Sequence, residues 1–192
     1  MPIPRLRRHH VVLLVIDVQD RLLPTIHEGD AVAHNCGALL DIANELAIPA
    51  VVTEQYVQGL GHSTETVRTR VRPGTPVVEK TRFSAAVPDV LAELDRHRAA
   101  SVLVCGIEAH VCVLQTTLDL LAAGRQVFLA TDAISSGAAH QVPYAFARMQ
   151  SAGAVLSGVL SATYELLGDA ADPSFRSCLR HVKTLRPVQH AR

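Results

Sequence analysis

Three short stretches, far apart in the chain, hold side chains that could act together on a carbonyl. They are Val15-Ile16-Asp17-Val18-Gln19, Glu79-Lys80-Thr81-Arg82-Phe83-Ser84 and Gly106-Ile107-Glu108-Ala109-His110-Val111-Cys112-Val113. A free thiol is mostly protonated at neutral pH, with a pKa near ~8.5. A helix N-terminus and a nearby ammonium both favour its thiolate. A carboxylate can take the thiol proton and later hand it to a leaving group. Cys112, Lys80 and Asp17 supply that set, and on this expectation Cys112 is an activated thiolate. Backbone N–H groups at a helix start can face a developing oxyanion, each donor worth roughly 3 kcal/mol. Thiolate attack on a carbonyl, followed by water, is amide or ester hydrolysis.

Each residue alone has a plainer explanation. An Asp after a strand often caps a turn. A Lys at a strand end usually points to solvent, and a Cys among apolar neighbours is more often a small hydrophobe. What shifts the balance is position. All three fall at or just past the carboxyl ends of predicted strands, where open α/β sheets bind their ligands.

The elements that must position them alternate. Val11 to Ile16 is a short run rich in β-branched residues without polar alternation, which predicts a buried strand. Apolar residues at steps of three and four predict a helix over about 30–47. Strands follow at 50–53, 77–80, 101–105, 126–130 and 154–158. Helices are predicted at 87–98, 110–123 and 141–152, the last two stopped by Gly124 and Gly153. Residues 54–63 hold Gly59 and Gly61 and predict a loop, and Gly106 predicts the end of the fourth strand. The alternation implies βαβ units and a parallel sheet covered on both faces. Residues 1–9 and 184–192 read as tails flanking one domain over 10–183.

The bulk composition suits this plan. A chain of 192 residues, 48% of them hydrophobic, can bury one sizeable core. Lys+Arg and Asp+Glu balance at 18 each, so there is no electrostatic footprint for nucleic acid or an anionic membrane. The first apolar run is too short for a membrane span and ends in Asp17. Cys36, Cys105, Cys112 and Cys178 form no Cys-x-x-Cys pair and suggest free thiols in a reducing compartment, the cytoplasm.

The three stretches, in this order and at this spacing, resemble the signature of isochorismatase-like cysteine hydrolases. The resemblance runs from about residue 10 to 168. It implies a Rossmann-like three-layer sandwich with a six-stranded parallel sheet of order 3-2-1-4-5-6. It implies a catalytic triad of Asp17, Lys80 and Cys112, a cis peptide between Ile107 and Glu108, and an oxyanion hole from the amides of Glu108 and Cys112. Strand three then lies two strand spacings from strand one, roughly 10 Å, a gap that a long Lys80 side chain must close.

Two departures narrow the activity. Nicotinamidases of this family often carry an Asp-x-His metal site after strand two. Here the region reads Thr53-Glu54-Gln55-Tyr56 with only His62 nearby, so no metal and no other cofactor is expected. Nicotinamidase-like members show Thr-Asp shortly before the cysteine, where this chain has Ala109-His110. That loop, the run Gln115-Thr116-Thr117-Leu118-Asp119-Leu120 and Gly59-Leu60-Gly61 resemble the isochorismatase domain-containing subgroup. Isochorismatases proper cleave a vinyl ether and lack the cysteine, so Cys112 argues against that activity.

Candidate substrate contacts are Gln19, Glu54, Gln55, Tyr56, Phe83 and His110, because they follow strand ends or adjoin the nucleophile. For the residues after strands two and three, ordinary turn contacts explain the positions equally well. The expected function is hydrolysis of a small amide or related C–N compound through a thioacyl enzyme. The expected assembly is a homo-oligomer, a dimer or tetramer, with a small-molecule substrate and neither nucleic acid nor membrane as partner. A non-catalytic interaction protein that keeps the fold stays open, as does a redox-responsive thiol protein.

Overall fold

The computed structural model describes residues 3–189. Its centre is a six-stranded sheet of order β3-β2-β1-β4-β5-β6, every neighbouring pair parallel. The strands are β1 (Val11–Ile16), β2 (Ala50–Gln55), β3 (Val77–Lys80), β4 (Ser101–Ile107), β5 (Gln126–Ser135) and β6 (Val155–Ser157). The predicted sheet and strand order are those observed.

β1 is buried along its whole length because both its faces are covered. Val11, Leu13 and Val15 enter one apolar cluster with α1 (Gly29–Glu45), α7 (Val159–Leu167) and α8 (Phe175–Val182). Val12, Leu14 and Ile16 enter the other, with α4 (Pro88–Arg96), α5 (Leu114–Ala122) and α6 (Val142–Ser151). Each aliphatic side chain taken fully out of water stabilises this arrangement by about 1.5–3 kcal/mol. The three-layer sandwich is therefore the direct result of two apolar faces on one strand.

Several element ends differ from the sequence expectation, and most of the differences lie at the active edge. β2 continues through Glu54 and Gln55, which pair in register with Glu79 and Lys80. Two short helices, α2 (Val57–Leu60) and α3 (Glu65–Arg68), occupy or adjoin the predicted loop. β4 does not stop at Gly106 but runs to Ile107. Gly106 is there for closeness, not termination: a Cβ on it would lie 2.1 Å from the Ile16 carbonyl oxygen, and its φ is +118°. That approach presses the end of β4 against the end of β1. β5 runs five residues past its predicted end, with an irregularity between the Val104 and Gly106 pairings. The helix after β4 begins late. Residues Ala109–Val113 form a wide π-helical turn, and α5 starts at Leu114.

The predicted tails are corrected too. Leu6 is buried at 2% exposure, and Arg8 Nε donates to the Leu46 carbonyl at 2.7 Å. At the other end Asn35 accepts from the Arg186 N–H at 3.0 Å and donates to its carbonyl at 2.8 Å. The first segment is held by a side chain and the second by its backbone, so neither hangs free. The outermost residues of the predicted tails, 1–2 and 190–192, lie outside the described residues. No helix among the described residues is long and apolar enough to cross a membrane.

Candidate active site

Asp17 follows β1 directly, with φ +54° and no solvent exposure. Three groups converge on its carboxylate. Thr53, from β2, donates its hydroxyl to Oδ1 at 2.7 Å. Lys80, from the end of β3, places Nζ 2.6 Å from Oδ2, with the two side chains 1% and 0% exposed. The Cys112 thiol lies near enough for the charge of the same carboxylate to act on it. The gap across two strand spacings is closed by the lysine stem, as the strand order requires.

Lys80 is held from several sides. Its ammonium also meets Gln55 Oε1 at 2.8 Å and the carbonyls of Arg82 and Phe83 at 3.2 and 3.1 Å. Gln55 in turn donates its amide to the Thr81 carbonyl at 2.8 Å. A buried ammonium is tolerable only with such partners, since desolvation costs several kcal/mol per ion.

Cys112 sits in the π-helical turn with 5% exposure. Its thiol is pushed up to about 12, chiefly by burial and next by the Asp17 charge. Lys80 and the Glu108 backbone N–H, which hydrogen-bonds the sulfur, pull the other way without winning. This corrects the expectation of a resting thiolate. The Lys80 charge is already spent on Asp17, and the helix proper starts four residues later than predicted, beyond Cys112. The resting pair is a thiol with a carboxylate beside it, so Asp17 is placed to take the proton during attack.

The peptide between Ile107 and Glu108 is cis. Glu108 also extends its carboxylate to the Gly137 N–H at 2.8 Å. His110 Nδ1 lies 2.9 Å from Ser136 Oγ. The end of β5 thus folds over the nucleophile turn and touches it at two points.

The remaining sequence candidates divide. Gln19 is fully buried, and both of its amide N–H groups go to backbone carbonyls, Gln55 at 2.9 Å and Gly61 at 2.5 Å. Its Oε1 accepts from the Gln55 N–H at 2.7 Å. Glu54 accepts from the Ser63 N–H at 2.6 Å and pairs with His62 Nδ1 at 2.9 Å. Burial raises the Glu54 carboxyl, but hydrogen bonds from Ser63 and His62 outweigh it and the net shift is downward. Gln19, Glu54 and Gln55 are therefore braces that shape the active edge, not free walls of a pocket. Tyr56 and Phe83 are the exposed ones, at 54% and 55%, and His110 is half-buried. Sequence reasoning missed Thr53 and Ser136. Thr53 was read as the last residue of a strand and Ser136 as part of a turn, and no local pattern marks either as a partner of the site.

Among the described residues no group of three or more His, Cys, Asp or Glu is placed to hold a metal ion. The hollow nearest in sequence to the site, about 480 Å³, is bounded by Tyr56, Arg82, Val87 and Asp89 among others and does not include Cys112.

A parallel sheet of order 3-2-1-4-5-6 with helices on both faces, and an acid, an ammonium and a thiol buried at its switch point, defines a Rossmann-like α/β class. The isochorismatase domain model matches residues 11–159, and the chain belongs to the isochorismatase family. It is 37% identical over 190 residues to the secreted isochorismatase effector Isc1 of Phytophthora sojae, covering 97% of this chain and 90% of that protein. It is 38% identical over 177 residues to human isochorismatase domain-containing protein 2, covering 92% and 84%. Among solved structures it is similar to MAR1 ribonuclease from Caenorhabditis elegans, with a TM-score of 0.94, 33% identity and 98% of each chain covered. The chain is an isochorismatase-family hydrolase by fold and sequence.

Proposed function

We propose that this protein hydrolyses a small amide or related C–N compound through a thioacyl enzyme, with Cys112 as nucleophile, Asp17 as proton carrier and Lys80 as its buried partner. One observation carries the reading: a single buried carboxylate, Asp17, receives the Lys80 ammonium at 2.6 Å and the Thr53 hydroxyl at 2.7 Å, and its charge bears on the Cys112 thiol. A fold that only needed stability would gain as much from apolar side chains there.

The steps follow from those contacts. As sulfur bonds to the carbonyl carbon, the thiol proton passes to Asp17. The backbone N–H groups of Glu108 and Cys112 meet the developing oxyanion. Asp17 then protonates the departing nitrogen, and the C–N bond breaks to leave a thioester. Asp17 takes a proton from water as the hydroxyl adds, and the acid leaves with the thiol restored. Lys80 holds the carboxylate in place. Tyr56, Phe83 and His110 are the proposed substrate contacts.

A peroxide-sensing role fits less well. Oxidation follows thiolate character and exposure, and Cys112 has little of either at rest. Nor does the site favour RNA, despite the ribonuclease among the similar structures. The charges balance overall, which gives a polyanion no general attraction. We assign a reducing, cytoplasmic setting from four unbridged cysteines, and a homo-oligomer as the assembly.

A panel of primary amides, ureas and N-carbamoyl compounds, read by intact mass, tests the reading. The expected result is release of ammonia or amine together with an acyl adduct that maps to Cys112. Turnover that persists in Cys112→Ser, or cleavage of RNA with no adduct on any amide, overturns it.

A further inference from the structure

The extended segment 184–189 is tied to the body of the protein at four points. His34 Nε2 lies 2.7 Å from the Thr184 carbonyl, and Asn35 holds both the N–H and the carbonyl of Arg186. His27 Nε2 lies 3.2 Å from the Gln189 carbonyl, and Glu28 accepts from the Gln189 N–H at 2.6 Å. A loose terminus would spend these groups on water instead.

The residues that receive this segment also grip the end of β5. The His27 N–H donates to the Ser136 carbonyl at 3.1 Å, and the His27 carbonyl accepts from Ser135 Oγ at 2.8 Å. Asn35, which holds Arg186, donates to the Asp132 carbonyl at 2.6 Å. From Ser136 and Gly137 the contacts continue to His110, inside the Cys112 turn, and to Glu108, just before it. Every link is a hydrogen bond, and Asn35, Ser135 and Ser136 are fully buried.

We propose that segment 184–189 is a positioning strap for the nucleophile: it fixes His27 and Asn35, which fix the end of β5, which fixes Glu108 and His110 in the stretch leading into Cys112. The inference rests on Cys112 and Asp17 acting as a pair. The strap touches neither reacting group. It sets the angle at which the thiol meets its base, a geometry to which general-base catalysis is sensitive.

The pH profile of thiol alkylation reads this geometry without a substrate. Where Asp17 takes the proton, the rate at Cys112 is flat with pH while the carboxylate is ionised. Where it does not, the rate follows the free thiolate and climbs about tenfold per pH unit. The full chain is treated with iodoacetamide between pH 6.5 and 9, and each cysteine is followed by peptide mass spectrometry. Wild type is expected to show the flat profile at Cys112, and Asp17→Asn the rising one. Arg186→Pro, which removes the N–H held by Asn35, and Ser136→Ala, which removes the partner of His110, are expected to lower the pH 7 rate about tenfold and restore the slope. Cys36, Cys105 and Cys178 should keep their wild-type rates. Wild-type profiles in both variants overturn the strap, and so does faster labelling at all four cysteines, which marks general loosening. If Asp17→Asn itself labels like wild type, the thiol–carboxylate pair fails, and the strap with it.

Discussion

Cys105 and Cys112 lie seven residues apart, both within 5% of full burial, and burial raises both thiols. Their neighbourhoods differ. Cys105 points into the cluster beneath α1, with Cys36 as its hydrogen-bonding neighbour and the Asp132 charge beyond it. Cys112 faces a carboxylate, an ammonium and a backbone N–H. Burial alone makes an inert thiol. What makes one usable is a base within hydrogen-bond reach that can accept the proton at the moment of attack.

Removing each sulfur breaks the comparison most sharply. Cys112→Ser is expected to cut turnover by on the order of 10⁴-fold or more, since it removes the proposed nucleophile. Cys105→Ala should leave turnover within about threefold and cost about 1 kcal/mol of stability through a small void. Single-turnover kinetics and urea unfolding on the two variants give both numbers. A large loss of turnover in Cys105→Ala with its fold intact would mean the two thiols are not separate in function.

The ammonium gives the next effect. Lys80→Ala leaves the Asp17 carboxylate buried with Thr53 and the thiol as its remaining partners, and breaking a buried pair from one side costs about 3–5 kcal/mol. Lys80→Ala combined with Asp17→Asn removes both charges and should recover much of that loss, yet not the activity. Urea midpoints for the three variants check the pattern. If the double variant is as unstable as Lys80→Ala alone, the pair is not what Lys80 stabilises.

The apolar frame was legible in the sequence because its signals are local. Val11 to Ile16 has no polar residue in six positions, and the observed β1 has those bounds. The triad stretches were legible as motifs for the same reason. What sequence could not show is how polar groups distant in the chain share their bonds. Thr53 lies 36 residues from Asp17, and Ser135 lies 108 from His27. Gln19, Glu54 and Gln55 fall where the sequence predicts strand ends, as pocket residues do, but only coordinates reveal that β2 runs on through Glu54 and Gln55 and that backbone groups and Lys80 absorb the side chains. The thiolate expectation failed on the same point. Proximity to Lys80 was right, but that charge is held by Asp17, and this depends on three segments meeting. The closing segment, residues 184–189, was missed because its ties run from its backbone to side chains on α1 and just before it, and backbone groups leave no compositional trace.

The smallest effect asks whether the two thiols differ at all when chemistry is set aside. A folded-state pKa raised above the unfolded one favours the protonated folded form. Its contribution to stability is complete below the unfolded thiol's ordinary value, near ~8.5. It is lost as pH rises from there toward the folded value, about 12 for Cys112 and well above the ordinary value for Cys105. Between pH 9 and 10 each such thiol should therefore cost about 1.4 kcal/mol per pH unit. Unfolding in urea across that window should show a slope shallower by this amount in Cys105→Ala, and shallower by the same amount in Cys112→Ala. Equal decrements mean that folding treats the two sulfurs alike and that only Asp17 and Lys80 set them apart. A flat response to either substitution would show that the thiol in question is not held protonated by the fold.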